Sequence, residues 1–396
     1  MQKQPERELY ARAAAIAPIA AIIDAAAAQP DAYLVGGTIR DLLLGRAFVD
    51  IDLAVDGDAH DLAAALGSPQ PLSESRFSTL RVSANGCRYD IARTRSERYA
   101  HPGALPQVEP APIATDLMRR DFTVNAFALA LTGESAGTLL AAPDAHDDLQ
   151  SRELAVLHDA SFHDDPTRLL RLARYAARLG FEIAPRTRQL ATEAIAGGAL
   201  ETVSGTRIGN ELRLLAGEPD PVAAFEATAE LGLPWSLNSD TARRALEVLP
   251  EDGRADLLVL ACVLGAQASD GLTAELDRLG FTAADRETIV AAAKAQDLAG
   301  RLTAVATRSG IARTVGTSGI ETVALAFSQG APSQSLTWLQ DLRHLQLQIT
   351  GDDLIASGIP EGPRIGRALD AAREALYDGA ATERDAQLRV ALSAAS

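Results

Sequence analysis

Residues 33–55, YLVGGTIRDLLLGRAFVDIDLAV, carry a Gly-Gly pair and an Asp-x-Asp pair, and the order of these elements constrains the fold more than any other feature. The pattern predicts a short buried strand (DAYLVGG) and then a helix (TIRDLLLG), with Thr38 near its N-cap and Gly45 as its stop. A second strand, DIDLAV, follows. This order predicts a small domain of mixed strands and helices.

The Gly-Gly pair lies just before the predicted helix start. Glycines allow backbone N–H groups to approach an anion closely, and a helix N-terminus attracts negative charge. Gly36 and Gly37 are therefore candidates for a phosphate contact, and Arg40 is close enough in sequence to reach the same phosphate. A plain turn is the commoner role of such a pair. The stretch matches neither GxGxxG nor GxxxxGK[ST], which excludes the Rossmann fingerprint and the P-loop.

The Asp-x-Asp pair places Asp50 and Asp52 on one face of the second strand. Neighbouring carboxylates repel each other and need a cation, a raised pKa or open water. Two Mg²⁺ ions suit them, because Mg²⁺ prefers oxygen ligands and often bridges to substrate phosphates. In a two-metal site one ion activates the attacking hydroxyl and the other stabilises the leaving pyrophosphate. The alternative is a solvated strand face.

Strand signals are concentrated in the first 140 or so residues. STLRVSANGCRYDIARTR predicts a hairpin around Asn85-Gly86, RYAHPGALPQVEPAPIA predicts a Pro-rich loop, and DFTVNAFALAL restarts an apolar segment. From Pro166 onward the pattern is that of amphipathic helices separated by Gly and Pro. A boundary near residue 150 is expected.

The charge and cysteine content limit the compartment and the partners. The net charge is −16, with Lys3 and Lys294 as the two lysines, so arginine supplies nearly all the positive charge. This balance argues weakly against a nucleic-acid partner, although local patches decide that question. The cysteines are Cys87 and Cys262, which favours a reducing compartment.

Targeting signals are not evident in the sequence. The start, MQKQPERELY, is polar and unlike a signal peptide, and the apolar run at residues 13–23 is too short to span a bilayer. The sequence therefore predicts a cytoplasmic protein with no membrane partner. Its oligomeric state is left open.

The order of elements resembles the nucleotidyltransferase superfamily that includes DNA polymerase β. It is most similar to the class II tRNA nucleotidyltransferase (CCA-adding enzyme) and bacterial poly(A) polymerase family. DLMRRDFTVNAFAL at residues 116–129 is similar to the family motif RRDFTxNA. DDPTRLLRLARYAARLGF at 164–181 is similar to EDxxRxLRxxRFxxxLGF, and GIPEGPRIGRALDAAREALYDG at 358–379 resembles a C-terminal segment of many members.

The resemblance implies an α+β fold: a small mixed α/β nucleotidyltransferase head, polymerase β-like, followed by an all-helical neck, body and tail. The head would span residues 1–145 and the neck, with its nucleobase-reading helix, 146–215. The body would span 216–300 and an RNA-binding tail 301–396.

The resemblance also implies a set of site residues. Asp50 and Asp52 would be the catalytic, metal-binding carboxylates, and Asp90 is a candidate third carboxylate, with an exposed strand Asp as the plainer alternative. Gly37 and Arg40 would contact the triphosphate. Arg119-Arg120-Asp121 would read the ribose 2′-OH. The implied nucleotide-binding set is Gly36, Gly37, Arg40, Arg119, Arg120, Asp121, Asn125, Asp165, Arg168, Arg171 and Arg174; Arg178 is left unassigned.

Base selection would fall to Asp165 and Arg168, which are three residues apart and so neighbours on a helix face. From the pattern alone, Asp165 is an N-cap, with Pro166 in the first turn. The resemblance instead implies an amino-acid template. A carboxylate beside a guanidinium matches the amino donor and ring-nitrogen acceptor of C and of A, and it opposes the pattern of U and G. Such a site rejects wrong bases strongly, since unmatched buried groups are costly.

The function implied is therefore addition of C, C and A to the tRNA 3′ end from CTP and ATP, using Mg²⁺ and releasing pyrophosphate. CC-adding, A-adding and poly(A) polymerase activities share these motifs. Asp164 replaces the usual Glu of the template motif, and the hinge segment PDAHDDLQSR has no Gly near Asp147-Asp148. The Pro-rich loop occupies the place of the family's flexible loop.

Two further classes of function remain as alternatives. The sequence has three His-Asp dipeptides, at His146, His158 and His163, which suggest an HD-type metal phosphohydrolase as the first alternative. A catalytically inactive RNA-binding module on a transferase scaffold is the second, and the presence of both Asp50 and Asp52 argues against it.

Overall fold

The computed structural model describes residues 4–27, 31–48, 50–68, 70–75, 79–84, 86–265 and 271–395. The chain divides into two compact units, Met1–Ser204 and Gly205–Ser396. The finer division into head, neck, body and tail stays a prediction. Asn85, half of the predicted hairpin turn, lies outside the described residues.

The first unit contains all the strands of the described residues. They are β1 (Ala32–Val35), β2 (Asp50–Val55), β3 (Ser73–Glu74), β4 (Thr79–Ala84), β5 (Cys87–Arg93), β6 (Arg95–Arg98), β7 (Gln107–Pro110), β8 (Phe127–Ala130), β9 (Leu139–Ala141), β10 (Glu153–Leu154) and β11 (Glu182–Ile183).

Helices surround these strands in the same unit. They are α1 (Gln4–Ala14), α2 (Ala17–Ala25), α3 (Gly36–Leu43), α4 (Ala59–Ala65), α5 (Ile113–Met118), α6 (Ala145–Ser151), α7 (Ser161–Asp164), α8 (Arg168–Leu179) and α9 (Pro185–Ala196), with 3₁₀ turns at Thr123–Asn125 and Ala199–Thr202.

The main sheet, counted over the described residues, has seven strands in the order β3-β4-β5-β2-β1-β8-β9. β2 is antiparallel to β1 and parallel to β5, and β5 is antiparallel to β4. Along β2, Ile51 and Leu53 are buried, whereas Asp50 is exposed and Asp52 half-buried. This period-2 alternation confirms that both carboxylates share one face of the strand.

Two details of the predicted elements differ in the structure. α3 begins at Gly36, so Thr38 is its third residue rather than its N-cap. The hydroxyl of Thr38 instead accepts the backbone N–H of Asp52 at 2.8 Å and so ties the helix to β2. The Pro-rich segment is only partly a loop, because β6 and β7 pair antiparallel on either side of its tip.

The predicted hinge segment, PDAHDDLQSR, contains residues with left-handed backbone although it has no glycine. Within the described residues, the non-glycine residues with positive φ are Asp144 (φ 61°) and Arg152 (φ 58°), and they flank α6. Left-handed backbone costs about 1–2 kcal/mol for a residue with a Cβ. The chain therefore holds two strained positions around α6.

The second unit is helical throughout its described residues. Its helices are α10 (Gly205–Ala216), α11 (Pro221–Glu230), α12 (Ser239–Val248), α13 (Ala255–Gly265), α14 (Leu272–Arg278), α15 (Ala283–Ala292), α16 (Ala295–Thr303), α17 (Arg308–Val315), α18 (Ile320–Ser328), α19 (Pro332–Gln340), α20 (Gly351–Ala356), α21 (Pro363–Tyr377) and α22 (Arg384–Ala395).

Apolar side chains explain where these helices pack. α13 is apolar around its whole circumference and is almost completely buried, as expected for a central helix. Near the C-terminus, Leu354 on α20, Ala368 on α21 and Ala391 on α22 share one apolar cluster. None of the helices described is both long and apolar enough to cross a membrane. A mixed sheet followed by helices confirms the predicted α+β class.

Candidate nucleotide and metal site

A cleft of about 390 Å³ opens where β2, the start of α3 and the end of α8 meet. Its lining contains Asp50, Asp52 and Asp90 together with Gly37 and Arg40. The lining is mostly polar, and α8 contributes Tyr175, Arg178 and Leu179. The structure thus brings the Gly-Gly and Asp-x-Asp elements to one cleft and places the predicted neck helix at its wall.

Asp52 is held at the base of this cleft by the first turn of α3. The backbone N–H of Gly37 donates to Oδ2 of Asp52 at 3.1 Å. Gly36 has φ +62°, and a Cβ there would lie 3.0 Å from Asp52 Oδ2, so both the backbone conformation and the close approach favour glycine. Burial raises the pKa of Asp52, and the neighbouring Asp90 raises it further, against the opposing effect of Arg120.

Charged side chains form a regular array on the cleft face of the sheet. Its members, which we call the sheet-face charges, are Asp50, Asp52, Arg81, Arg88 and Asp90. The register sets Asp52 opposite Asp90, Asp50 opposite Arg88 and Arg81 opposite Asp90. Nε of Arg88 lies 2.8 Å from Asp50 Oδ1, and Arg81 donates two hydrogen bonds of 2.8 Å to Asp90.

The donor set of this face suits a hard divalent metal. Carboxylate oxygens are the ligands that such cations prefer, and Mg²⁺ commonly takes one or two protein carboxylates plus substrate phosphates. A half-buried Asp52 beside Asp90 is a charge arrangement that a cation would relieve. Over the residues described, no three His, Cys, Asp or Glu side chains converge on one point that could hold a metal. The carboxylates of this face therefore suit a metal whose remaining ligands come from a phosphate.

The Arg119-Arg120-Asp121 motif is not part of the cleft lining, and its side chains are largely withdrawn from solvent. Asp116 is buried and accepts from Nε of Arg119 and Nη2 of Arg120, both at 2.9 Å. Arg119 also donates to Glu97 at 2.7 Å. Burial pushes the pKa of Asp116 upward, but Arg120 and Arg119 outweigh it and hold that pKa below its usual range. Asp116 thus holds both arginines, and Glu97 holds Arg119 from a second side.

Asp121 belongs to a second group, the buried network of Arg40, Asp121, Asn125 and Arg171. Asn125 donates to Asp121 at 2.9 Å and accepts from Arg40 at 2.7 Å, and Arg171 donates twice to Asp121, at 2.9 and 2.6 Å. Burial opposes ionisation of Asp121, yet Arg171 and the Asn125 amide hold its pKa far below the usual value. Arg40 also donates to Asp41. Its predicted contact with triphosphate stays a prediction.

Tyr175 is a residue of this site that sequence reasoning missed. The guanidinium groups of Arg40, Arg171 and Arg174 lie 5.5, 5.6 and 5.0 Å from its ring centroid. Phe122 meets the same ring edge-on at 5.8 Å. The available signal was an aromatic residue directly after Arg174, where the family motif also has one. Cation–π contacts of this kind hold the arginines of two segments against one ring.

The predicted base-reading pair, Asp165 and Arg168, lies at the start of α8 in a different way from that expected. α8 begins at Arg168, so Asp165 is not an N-cap; its carboxylate accepts the N–H and hydroxyl of Thr167 at 3.0 and 2.6 Å. Arg168 is buried and donates to Ser161 and to the carbonyl of Arg119, both at 2.7 Å. This second bond links the start of α8 to the Arg119-Arg120-Asp121 motif.

Comparisons with known proteins agree with this geometry. Residues 32–155 match the model of the Poly A polymerase head domain. The A-adding tRNA nucleotidyltransferase of Geobacter sulfurreducens is 34% identical over 91% of this chain and 44% of its own length. The CC-adding tRNA nucleotidyltransferase of Deinococcus radiodurans is 34% identical over 86% of this chain and 84% of its own length. The Multifunctional CCA protein of Xanthomonas campestris pv. campestris is 36% identical over 50% and 48%.

Solved structures extend the likeness to nearly the whole chain. The Thermotoga maritima CCA-adding enzyme complexed with tRNA has a TM-score of 0.74 and 25% identity, covering 98% of both chains. A CCA-adding enzyme in complex with CTP has a TM-score of 0.76 and 25% identity, covering 98% of this chain and 97% of its own. The matched regions cover 44%, 54% and 23% of the lengths of three A-adding relatives.

Proposed function

This chain belongs to the class II tRNA nucleotidyltransferase and bacterial poly(A) polymerase family, and we propose that it is an enzyme that adds C, C and A to the 3′ end of tRNA. CTP and ATP would be its nucleotide substrates and pyrophosphate its second product. The observation that carries the proposal is the cleft itself, in which Asp50 and Asp52 face the start of α3 and the end of α8.

The carboxylates and the start of α3 would handle the triphosphate. Mg²⁺ bound at Asp50 and Asp52 would lower the pKa of the RNA 3′-hydroxyl and stabilise the leaving pyrophosphate. Gly36 and Gly37 allow close approach to the helix N-terminus, where the dipole favours an anion. Gly37 also fixes the Asp52 carboxylate by its N–H, so that Asp52 is oriented before substrate arrives.

The arginines would orient the ribose and the base. Arg119 and Arg120 are each held by Asp116, which keeps their guanidinium planes fixed. Arg168 uses two of the five N–H donors of a guanidinium on Ser161 and Arg119, so donors remain for a base. The remaining N–H donors of Arg168, together with the carboxylate of Asp165, would match the pairing edges of C and A and oppose those of U and G.

One experiment separates the members of the family. The protein is incubated with tRNA transcripts that end before CCA, after C and after CC, with CTP, ATP or both, and the products are sized on a sequencing gel. We expect the first transcript to grow by three nucleotides when both nucleotides are present. The Asp52→Ala protein is the control for contaminating enzymes, and it should add nothing while still retaining tRNA in a gel shift.

A-only addition is the second candidate, because three of the relatives that this chain matches at 34–39% identity are named A-adding enzymes. Growth of only the CC-ending transcript, with ATP alone, would replace the first proposal by this one. Growth that stops at CC with both nucleotides present would indicate a CC-adding enzyme. Long A tracts on any of the transcripts would indicate a poly(A) polymerase.

A further inference from the structure

The sheet-face charges form opposite-charge pairs that follow directly from strand register. β2 and β5 run parallel with Asp50 beside Arg88 and Asp52 beside Asp90. β4 and β5 run antiparallel with Arg81 beside Asp90. Side chains in register on neighbouring strands point to the same face. Three carboxylates and two guanidinium groups therefore lie side by side.

Each of the two outer carboxylates is bound by an arginine. Asp50 receives Nε of Arg88 at 2.8 Å, and Asp90 receives Nε and Nη2 of Arg81 at 2.8 Å each. Asp52, between them, receives the backbone N–H of Gly37 instead. The outer carboxylates are thus directed towards arginines of the β4–β5 pair, and among the residues described no three acidic side chains converge on one point.

We propose that Arg88 and Arg81 compete with divalent metal for Asp50 and Asp90, so that metal enters this site by displacing guanidinium groups. The proposal rests on the proposed function, which makes Asp50 and Asp52 the metal-binding carboxylates, and it adds Asp90, which lies opposite Asp52 on the neighbouring strand. A guanidinium and a metal ion use the same carboxylate lone pairs, so a carboxylate oxygen that binds one is withdrawn from the other. Arg88 and Arg81 are positioning residues in this account, since they act through the carboxylates.

Because the two arginines are exposed, moving their guanidinium groups away from the carboxylates costs little free energy. The side chains of Arg88 and Arg81 are 54% and 53% exposed, so a displaced guanidinium returns to water. Exposed ion pairs contribute little net free energy, whereas a divalent ion held by two carboxylates and a phosphate gains several strong contacts. The Arg88–Asp50 and Arg81–Asp90 pairs therefore neutralise two of the sheet-face carboxylates without blocking metal entry.

The test is a direct measurement of Mn²⁺ binding to the full chain, without nucleotide or RNA, by the loss of the free-ion EPR signal. We expect Arg88→Gln and Arg81→Gln each to lower the Kd for Mn²⁺ about two- to fivefold, the range that loss of an exposed ion pair predicts. The double variant should lower it about tenfold, since the two pairs share no partner. Arg88→Lys, which keeps a cation, should lie close to wild type.

Matched controls separate competition from simple charge. Arg93→Gln removes the same charge from the same strand on its opposite face, and it should change the Kd less than about twofold because that position is screened. A Kd that is unchanged or weaker in both Arg88→Gln and Arg81→Gln overturns the proposal, since a purely structural role gives no gain in affinity. Asp52→Asn tests the premise separately: if it binds Mn²⁺ like wild type, the metal assignment in the proposed function is the part that fails.

Discussion

The sheet-face charges and the buried network lie in the same unit but differ in their access to water. In the former, Arg88 and Arg81 are more than half exposed, and each pairs with a carboxylate on the neighbouring strand. In the latter, the Asp121 side chain is 8% exposed and the Arg40 side chain 3%, and Arg171, the partner of Asp121, is 29% exposed. Opposite charges pair in both regions, although Asp52 on the sheet face accepts a backbone N–H rather than a guanidinium, and the regions differ in how much water surrounds the pairs.

This difference indicates different roles for similar side chains. An exposed ion pair exchanges partners at little cost, because water replaces what is lost. A buried pair cannot, since removing one partner leaves an uncompensated charge away from water. The sheet-face charges are therefore suited to binding ligands that come and go, and the buried network is suited to holding α8 against the RRD motif.

The largest expected effect is on catalysis and falls on the sheet-face charges. Asp52→Asn should lower the rate of nucleotide addition about a thousandfold, because a carboxylate that orients charge at the reacting centre is lost. Its thermal midpoint should nevertheless rise. Burial and Asp90 raise the pKa of Asp52, so the ionised form at neutral pH destabilises the fold, and an amide removes that repulsion. Primer extension measures the rate, and calorimetry measures the thermal midpoint. A lower midpoint would contradict the conclusion that ionised Asp52 destabilises the fold.

Removing a carboxylate from the buried network should lower stability, whereas removing Asp52 from the sheet face should raise it. Asp121→Asn removes the charge that compensates Arg171, and we expect a loss of about 3–5 kcal/mol in the free energy of unfolding, measured by urea denaturation. The control is Asp159→Asn, which breaks the exposed Arg186–Asp159 pair and should leave the unfolding curve unchanged. Equal effects of the two substitutions would remove the distinction between the regions.

The stability difference between wild type and Asp121→Asn should depend on pH in a defined way. The pKa of Asp121 is lowered by Arg171, so its stabilising contribution is complete above the unfolded-state value of about 3.9 and is lost as the pH falls through the folded-state value. The stability difference between wild type and Asp121→Asn should be constant from about pH 5 to 7 and should shrink below about pH 4. A difference that grows on acidification would contradict the assignment of the ionised carboxylate.

The sequence predicted the sheet-face charges better than the buried network. Alternation along β2 follows from period 2, so the shared face of Asp50 and Asp52 could be foreseen. The pairing of Asp90 with Arg81 depends on strand register, which period 2 alone does not specify. In the buried network, Asn125 bonds Arg40 across 85 positions of the chain. Contacts at that separation arise from tertiary packing, which explains why the ring of Tyr175 at their centre was missed.

Tyr175 offers a smaller perturbation of the buried network. Tyr175→Leu removes the ring that three guanidinium groups and Phe122 contact, and we expect it to cost about 1–3 kcal/mol in the free energy of unfolding. Tyr175→Phe keeps the ring and should stay within about 0.5 kcal/mol of wild type. If Phe is as damaging as Leu, the hydroxyl rather than the ring stabilises this region.

The smallest expected effect is that of Arg88→Gln on stability. Because its pair with Asp50 is about half exposed on both sides, the free energy of unfolding should change by less than about 0.5 kcal/mol in urea denaturation. A matched charge between strands would ordinarily be explained as a stabilising device, and this result would exclude that explanation for Arg88. A loss comparable to that of Asp121→Asn would instead make the pair structural, and the competition of Arg88 with metal would then lack its energetic basis.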